Sequence, residues 1–394
     1  MPYLGATITH MQPRLALSFG NFFAGAHFFL ILYTSAPYLA TMLPDEYIGL
    51  VFSLGAVLTL SVFPFIPALV RKLGAKKLAL SAAVIGSCLT LGLAVDPGPV
   101  LAITLMALFY ALAPIGAYFL DLLLEATTEH EGTTGRVRTL FITFGSMAVI
   151  SSPLVIGFLL GTTELYTRVF LLSAASLAPF FLILLFARIP EGHPPVFAHI
   201  KDVAHCLLND PDFKAVGIAY GALQFFYHLA PFFIPLYLHT QLGIPWSELG
   251  WIFAVMLLPF LVLEYPAGWL ADHAWGDQEM MAIGFLVLGA SLAAIGFIST
   301  GTPLVAVVIV LVLTRVGAAL CEAMCETHFF RRVSERDANT VGVFRMMRPL
   351  GALAAPLVGS IVLIFTSYNV LFFVAGLSII VIGVAAALSI KDVR

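Results

Sequence analysis

Charge is scarce in this sequence. Asp, Glu, Lys and Arg make up 10% of the 394 residues, whereas a water-soluble globule carries about 25%. That shortage excludes an ordinary soluble enzyme. Cysteine is scarce as well: Cys88, Cys206, Cys321 and Cys325 do not make the disulfide framework of a small secreted domain. No G-x-x-x-x-G-K-[ST] loop occurs, so the chain carries no ATP-driven motor of its own. No H-E-x-x-H motif occurs either. The stretch before Leu15 lacks a basic n-region and a small-residue cleavage site, so no removable signal peptide is expected. The net charge of −3 excludes little, because it sums the two faces of a membrane.

What fills the chain instead is apolar surface. Hydrophobic residues reach 60% and the mean hydropathy is +1.01. A helix needs about 20 apolar residues to cross the hydrocarbon. Breaks at polar, Gly and Pro clusters delimit twelve such runs, over 15–39, 47–69, 78–95, 99–124, 139–160, 167–187, 214–238, 247–270, 280–299, 303–328, 342–365 and 369–390. Charge then tests the count independently, since Lys and Arg gather in cytoplasmic loops. Of the 19 Lys and Arg, Arg168 alone falls on the opposite side, and Arg315, Arg345 and Arg348 lie within spans. The others, from Arg14 through Lys76, Arg188 and Arg332 to Arg394, share one side, which places both termini in the cytoplasm. Cys321 and Cys325 then fall in the cytoplasmic half, where thiols stay reduced.

The longest polar interruption, "ARIPEGHPPVFAHIKDVAHCLLNDPDFK", divides the spans six and six. Val196, Phe197, Ile200, Val203, Leu207 and Leu208 recur there at helical spacing, opposite Lys201, Asp202 and His205. That pattern suits a short amphipathic helix on the membrane surface, or a simple connector. The expected organisation is an N-terminal six-helix bundle over 1–189, a linker over 190–213 and a C-terminal bundle over 214–394. The halves are also alike in sequence. "YIGLVF" matches "ELGWIF", which pairs Gly49 with Gly250, 201 residues on. "IGAYFLDLLLEA" matches "VGAALCEAMCET", which pairs Asp121 with Glu322 and Glu125 with Glu326 at the same offset. Gly74 pairs with Gly276, and Gly157 with Gly359, both 202 on. Parallel repeats of this kind are found in transporters, with binding at the interface between repeats.

"EYPAGWLADHAWGDQE" resembles the signature loop of the major facilitator superfamily, which reads roughly G-x-L-A-D, then a basic residue and a second glycine. Gly268, Leu270, Ala271 and Asp272 match it, while His273 stands where Arg is usual. The first-half copy, "PALVRKLGAKK", keeps Arg71, Gly74, Lys76 and Lys77 but has Val70 in the acid's place. The resemblance implies an all-α, polytopic membrane protein of twelve transmembrane helices in two pseudo-symmetric six-helix bundles, with spans 1, 4, 7 and 10 lining a central cavity. It also implies that Asp272 faces the start of span 5, near Arg136 and Arg138, as part of a cytoplasmic gate.

Charged residues inside the spans are the candidate site. Glu322 and Glu326, like Asp121 and Glu125, share a helix face at i, i+4. They are expected to close the cytoplasmic end with Arg136, Arg138 and Arg345, or to form static salt bridges. Arg315 lies deeper, where insertion of Arg costs about 2.5–3.5 kcal/mol. Substrate or proton binding and a structural pairing with Glu264 both account for it. His27 and His228 are 201 apart, on two of the cavity helices. Histidine changes charge between pH 5 and 8, which suits proton coupling, though packing is the commoner use of such a residue. Asn21, Gln224, Tyr227, Tyr110 and Tyr118 make their surroundings amphipathic. Cys321, Cys325 and His328 have ligand-like spacing, but no second cluster completes a metal site.

These residues point to a secondary transporter of the cell membrane that moves a small organic solute by alternating access, with proton coupling. Export of amphipathic or drug-like compounds is the alternative within that class, and a non-transporting receptor or scaffold is the alternative outside it. No enzymatic activity, cofactor, metal or nucleic-acid partner is expected, and a monomer in the lipid bilayer suffices.

Overall fold

The structure, a computed structural model, describes residues 12–127, 134–191, 210–263, 266, 276–332 and 338–390. Among these residues are twelve helices long and apolar enough to cross a membrane. Spans 1 to 6 are Pro13–Ala40, Asp45–Leu73, Ala75–Ala94, Pro99–Ala126, Arg138–Leu160 and Tyr166–Phe186. Spans 7 to 12 are Pro211–Gln241, Trp246–Leu263, Asp277–Ile295, Leu304–Phe329, Met347–Phe365 and Tyr368–Leu388. They reproduce the expected runs with small shifts at the ends. Proline opens spans 1, 4 and 7 at the first helical position, where its missing N–H is no loss and its fixed φ suits a helix. Prolines inside spans, such as Pro153 and Pro356, are tolerated because neighbouring helices satisfy the freed carbonyls. The helices present large apolar side chains outward: Phe158 is 87% exposed and Phe365 80%. Dozens of such side chains form faces far too large for a water-soluble surface. This is a multi-pass membrane protein.

The chain forms two compact units. The first comprises Met1–Leu43, Val51–Pro195 and Pro245–Trp251, and the second Pro44–Leu50, Val196–Ile244 and Ile252–Arg394. Each holds most of one sequence half and one short helix start from the other. In the first unit, span 1 packs on spans 4, 5 and 6, and span 3 packs on spans 4 and 6. In the second, span 7 packs on spans 10, 11 and 12, and span 9 packs on spans 10 and 12. Adding six to every span number of the first unit gives the second. The offset read between the sequence halves is thus a repeat of packing as well as of letters.

The paired glycines show why the letters recur. In the first unit a Cβ on Gly250 would lie 2.7 Å from the Pro153 carbonyl oxygen. In the second, a Cβ on Gly49 would collide with the Pro356 carbonyl and come within 2.6 Å of Ser360 Oγ. Backbones this close admit only glycine. The amphipathic stretch from Val196 to Leu208, together with Glu264 and Asp272, lies outside the described residues.

Candidate functional site

Span 10 carries the chemistry of the second unit. Before Arg315 it is Leu, Val and Ile apart from Ala306 and Thr314, and Arg315, its first charge, is only 3% exposed. The guanidinium carbon sits 4.8 Å from the ring centroid of Phe226 on span 7. A desolvated cation–π contact is worth about 2 kcal/mol, less than the roughly 2.5–3.5 kcal/mol that insertion of Arg costs. The residue after Phe226 completes the arrangement: the Tyr227 hydroxyl donates to Glu322 Oε2 at 2.7 Å. Arg315 also acts electrostatically on Tyr227. One phenol thus lies within the influence of a cation and an anion that are seven residues, or about 10 Å of helix rise, apart.

A second pair continues the same face. Tyr220 precedes Tyr227 by two helical turns, and its hydroxyl accepts from Arg348 Nε of span 11 at 3.0 Å. Glu322 and Glu326 are both close enough to act on Tyr220. Spans 7, 10 and 11 therefore converge two arginines, two glutamates and two tyrosines. Arg348 is expected from sequence only as a salt-bridge partner of the span 4 and span 10 acids, beside Arg345, and not as a tyrosine partner. The i, i+7 tyrosines on span 7 were the signal available for it, because they mark one polar face. The side chain of Arg345 lies outside the described residues.

Gln224 and His228 occupy the intervening turn of span 7. His228 Nδ1 lies 2.8 Å from the Gln224 carbonyl. Since a carbonyl only accepts, the hydrogen of the neutral ring sits on Nδ1 and Nε2 carries the lone pair. Gln224 is buried, and His228 is partly so.

The first unit treats its polar residues differently. His27 Nδ1 meets the Ser173 carbonyl at 3.0 Å and Ser173 Oγ at 2.8 Å, and Ser173 Oγ is also 2.9 Å from the His27 carbonyl. The ring lies edge-to-face with Phe109 of span 4 and backs onto Gly86 of span 3. Asn21 Nδ2 donates to the Phe141 carbonyl of span 5 at 2.9 Å, and Ser35 and Tyr110 share a hydrogen bond of 2.8 Å. Each contact ties two helices of this unit, and none involves a charged side chain. The two histidines, alike in sequence register, therefore have unlike surroundings.

Asp121, Glu125 and Arg138 are exposed, and Glu326 is partly buried. The side chain of Arg136 and the whole of Asp272 lie outside the described residues. Cys321 and Cys325 turn toward the backbone oxygen and sulfur of Met281, each at 3.8 Å, while His328 turns to two carboxylates. The three do not converge, and among the described residues no group of His, Cys, Asp or Glu is arranged to hold a metal ion.

Residues 216–394 match the sequence profile of the major facilitator superfamily, and transporters are among the solved structures of similar fold. Over those residues the chain resembles that superfamily in sequence, and over nearly its whole length it resembles solved members in fold. Superposition on nucleoside transporter NupG gives a TM-score of 0.77 at 16% identity, covering 96% of this chain and 99% of that one. A bacterial homolog of the human lysosomal transporter Spinster gives 0.71 at 14% identity, covering 96% of each. The human organic anion transporter MFSD10 gives 0.62 at 16% identity, covering 95% of this chain and 98% of that one. Among curated proteins, none matches this chain in sequence. The chain thus shares with these transporters a fold of twelve membrane helices.

Proposed function

We propose that this major facilitator protein is a proton-coupled carrier of a small organic solute that bears negative charge. The observation that carries the reading is the buried Arg315–Phe226 contact beside the Tyr227–Glu322 hydrogen bond. Arg315 would receive the anionic group of the solute, because a planar guanidinium offers paired donors to a carboxylate or phosphate. Glu322 would take and release the proton, with the Tyr227 hydroxyl holding its carboxylate in place. Binding the solute's negative charge near Glu322 favours the protonated acid, and proton loss favours solute release. That reciprocity is what coupling requires.

Arg348, Tyr220 and His228 supply the neighbouring polar surface, and Asn21 and His27 contribute through the packing of the first unit. Asp121, Glu125, Glu326, Arg138, Arg136, Arg345 and Asp272 are assigned to closure at the end that carries the termini. The excess of Lys and Arg there supports a cytoplasmic location for that end in a cell membrane. Among solutes named for similar folds, an organic anion fits Arg315 better than an uncharged nucleoside does.

The test is flux into proteoliposomes under an imposed pH gradient, with organic anions, nucleosides and amphipathic cations as the panel. Gradient-driven movement of an anion that is lost in Arg315→Lys and kept in Glu326→Gln supports the reading. Movement kept in Arg315→Lys and lost in Glu326→Gln overturns it. Flux of amphipathic cations alone favours drug export.

A further inference from the structure

Beyond Glu322, span 10 carries a second ionisable centre that the transport reading does not use. Asp210 caps span 7, its carboxylate accepting from the N–H of Asp212 at 2.9 Å and of Phe213 at 3.4 Å, with Pro211 at the first helical position. Asp212 follows in the first turn and is 3% exposed. Asp277 opens span 9 in the same way and is 2% exposed. A carboxylate is favoured at a helix start by the partial positive charge of the unpaired N–H groups. His328, near the end of span 10 and 1% exposed, lies between the two: Nε2 is 3.1 Å from Asp212 Oδ2, and Nδ1 is 3.4 Å from Asp277 Oδ2.

Hydrogen counting decides what such an arrangement must hold. A neutral imidazole has one N–H and one lone pair. With both ring nitrogens against carboxylate oxygens, only one contact can then be a hydrogen bond, and the other sets a lone pair against an anion. Both contacts are hydrogen bonds only if the cluster carries one further proton. It can reside on the ring, as imidazolium between two carboxylates, or on one carboxyl beside a neutral ring.

We propose that Asp212, His328 and Asp277 form a buried proton-binding site that fastens the ends of spans 7, 9 and 10 to one another. Among the described residues, the charged groups within hydrogen-bonding distance of His328 are Asp212 from span 7 and Asp277 from span 9. On its own helix Cys325 and Glu326 precede it, with Cys325 turned to Met281 Sδ. Lys214 and Glu279 follow two residues after the respective aspartates, and Asp210 is engaged as the cap. Both carboxylates have further interactions of their own, so what proton loss releases is the imidazole contact. On loss, the proton passes to water, one of the two hydrogen bonds at the ring breaks, and the His328 tie to one neighbouring span is released. The bonds favour the protonated cluster, so its stabilisation is present at low pH and disappears as pH rises past the point of proton loss.

The experiment is thermal unfolding of the purified full-length protein in detergent between pH 5 and 9, for wild type, Asp277→Asn and Asp212→Asn. Each introduced amide can donate to an unprotonated ring nitrogen, so each variant keeps two contacts without the extra proton. The Tm of wild type is expected to fall with rising pH by a few degrees more than that of either variant. Either variant that folds suffices. Profiles that run parallel to wild type, or a wild-type Tm that does not change over this range, overturn the proposal.

Discussion

The two units are built on one packing plan and filled with different chemistry. In the first, three polar side chains of span 1 close on backbone or hydroxyl groups of the same unit: Asn21 on Phe141, His27 on Ser173, and Ser35 on Tyr110. In the second, spans 7 and 10 bring together Arg315, Glu322, Tyr227 and Tyr220, with Arg348 from span 11. Where span 1 offers His27 wedged against Ser173, span 7 offers Phe226 and Tyr227 to a guanidinium and a carboxylate. Duplication preserved the interfaces that small residues and close backbones demand, and left the polar positions able to diverge. Structural repetition is therefore poor evidence that two matched residues do the same work.

The sharpest way to break this asymmetry is Arg315→Lys. Lysine keeps the charge but loses the planar fork and the ring stacking, so anion flux should fall about tenfold to a hundredfold, as expected when a charge-assisted contact is lost. A flux near wild type would show that the second unit's charge is structural. Glu322→Gln comes next. It should abolish accumulation driven by a pH gradient while exchange of solute across the membrane continues, because the amide keeps the Tyr227 contact and cannot titrate. Loss of exchange as well would argue against a proton role.

Gly250→Val and Gly49→Val test the shared plan. Each inserts a side chain against a carbonyl, and overpacking of this kind costs about 1–3 kcal/mol. Similar drops in Tm for both would support equivalent interfaces, and a tolerated change at one alone would show that the repeat had lapsed there. The smallest effect is expected from Ser173→Ala, which removes hydroxyl contacts from His27 worth about 1 kcal/mol. Tm should fall by a few degrees with flux within about twofold. A collapse of flux would return His27 to the transport path.

Much of the fold was legible in the sequence, because the bilayer imposes it one helix at a time. A run of about 20 apolar residues must become a helix, since no other strand of backbone can hide its polar groups in hydrocarbon. Leu304 to Phe329 illustrates this: its limits follow from composition, and so does the expectation that Arg315 is the residue to explain. The repeat offset was equally readable from Gly49, Gly250 and their neighbours, because close backbone contact leaves no choice of residue. The site was legible only as a set of suspects. Nothing in "AHFF" and "YHLA" distinguishes the wedged His27 from His228, and nothing in "RMMRP" says that Arg348 reaches a tyrosine.

The sequence by itself determined that this chain crosses a membrane twelve times in two related halves, because length and hydropathy are local properties of each segment. Only the tertiary structure decided which ionisable groups meet. Arg315 and Phe226 are 89 residues apart in the chain, and His328 is 116 from Asp212. Whether such groups pair depends on helix rotation within the bundle, which the packing of small and large side chains sets and no local pattern records.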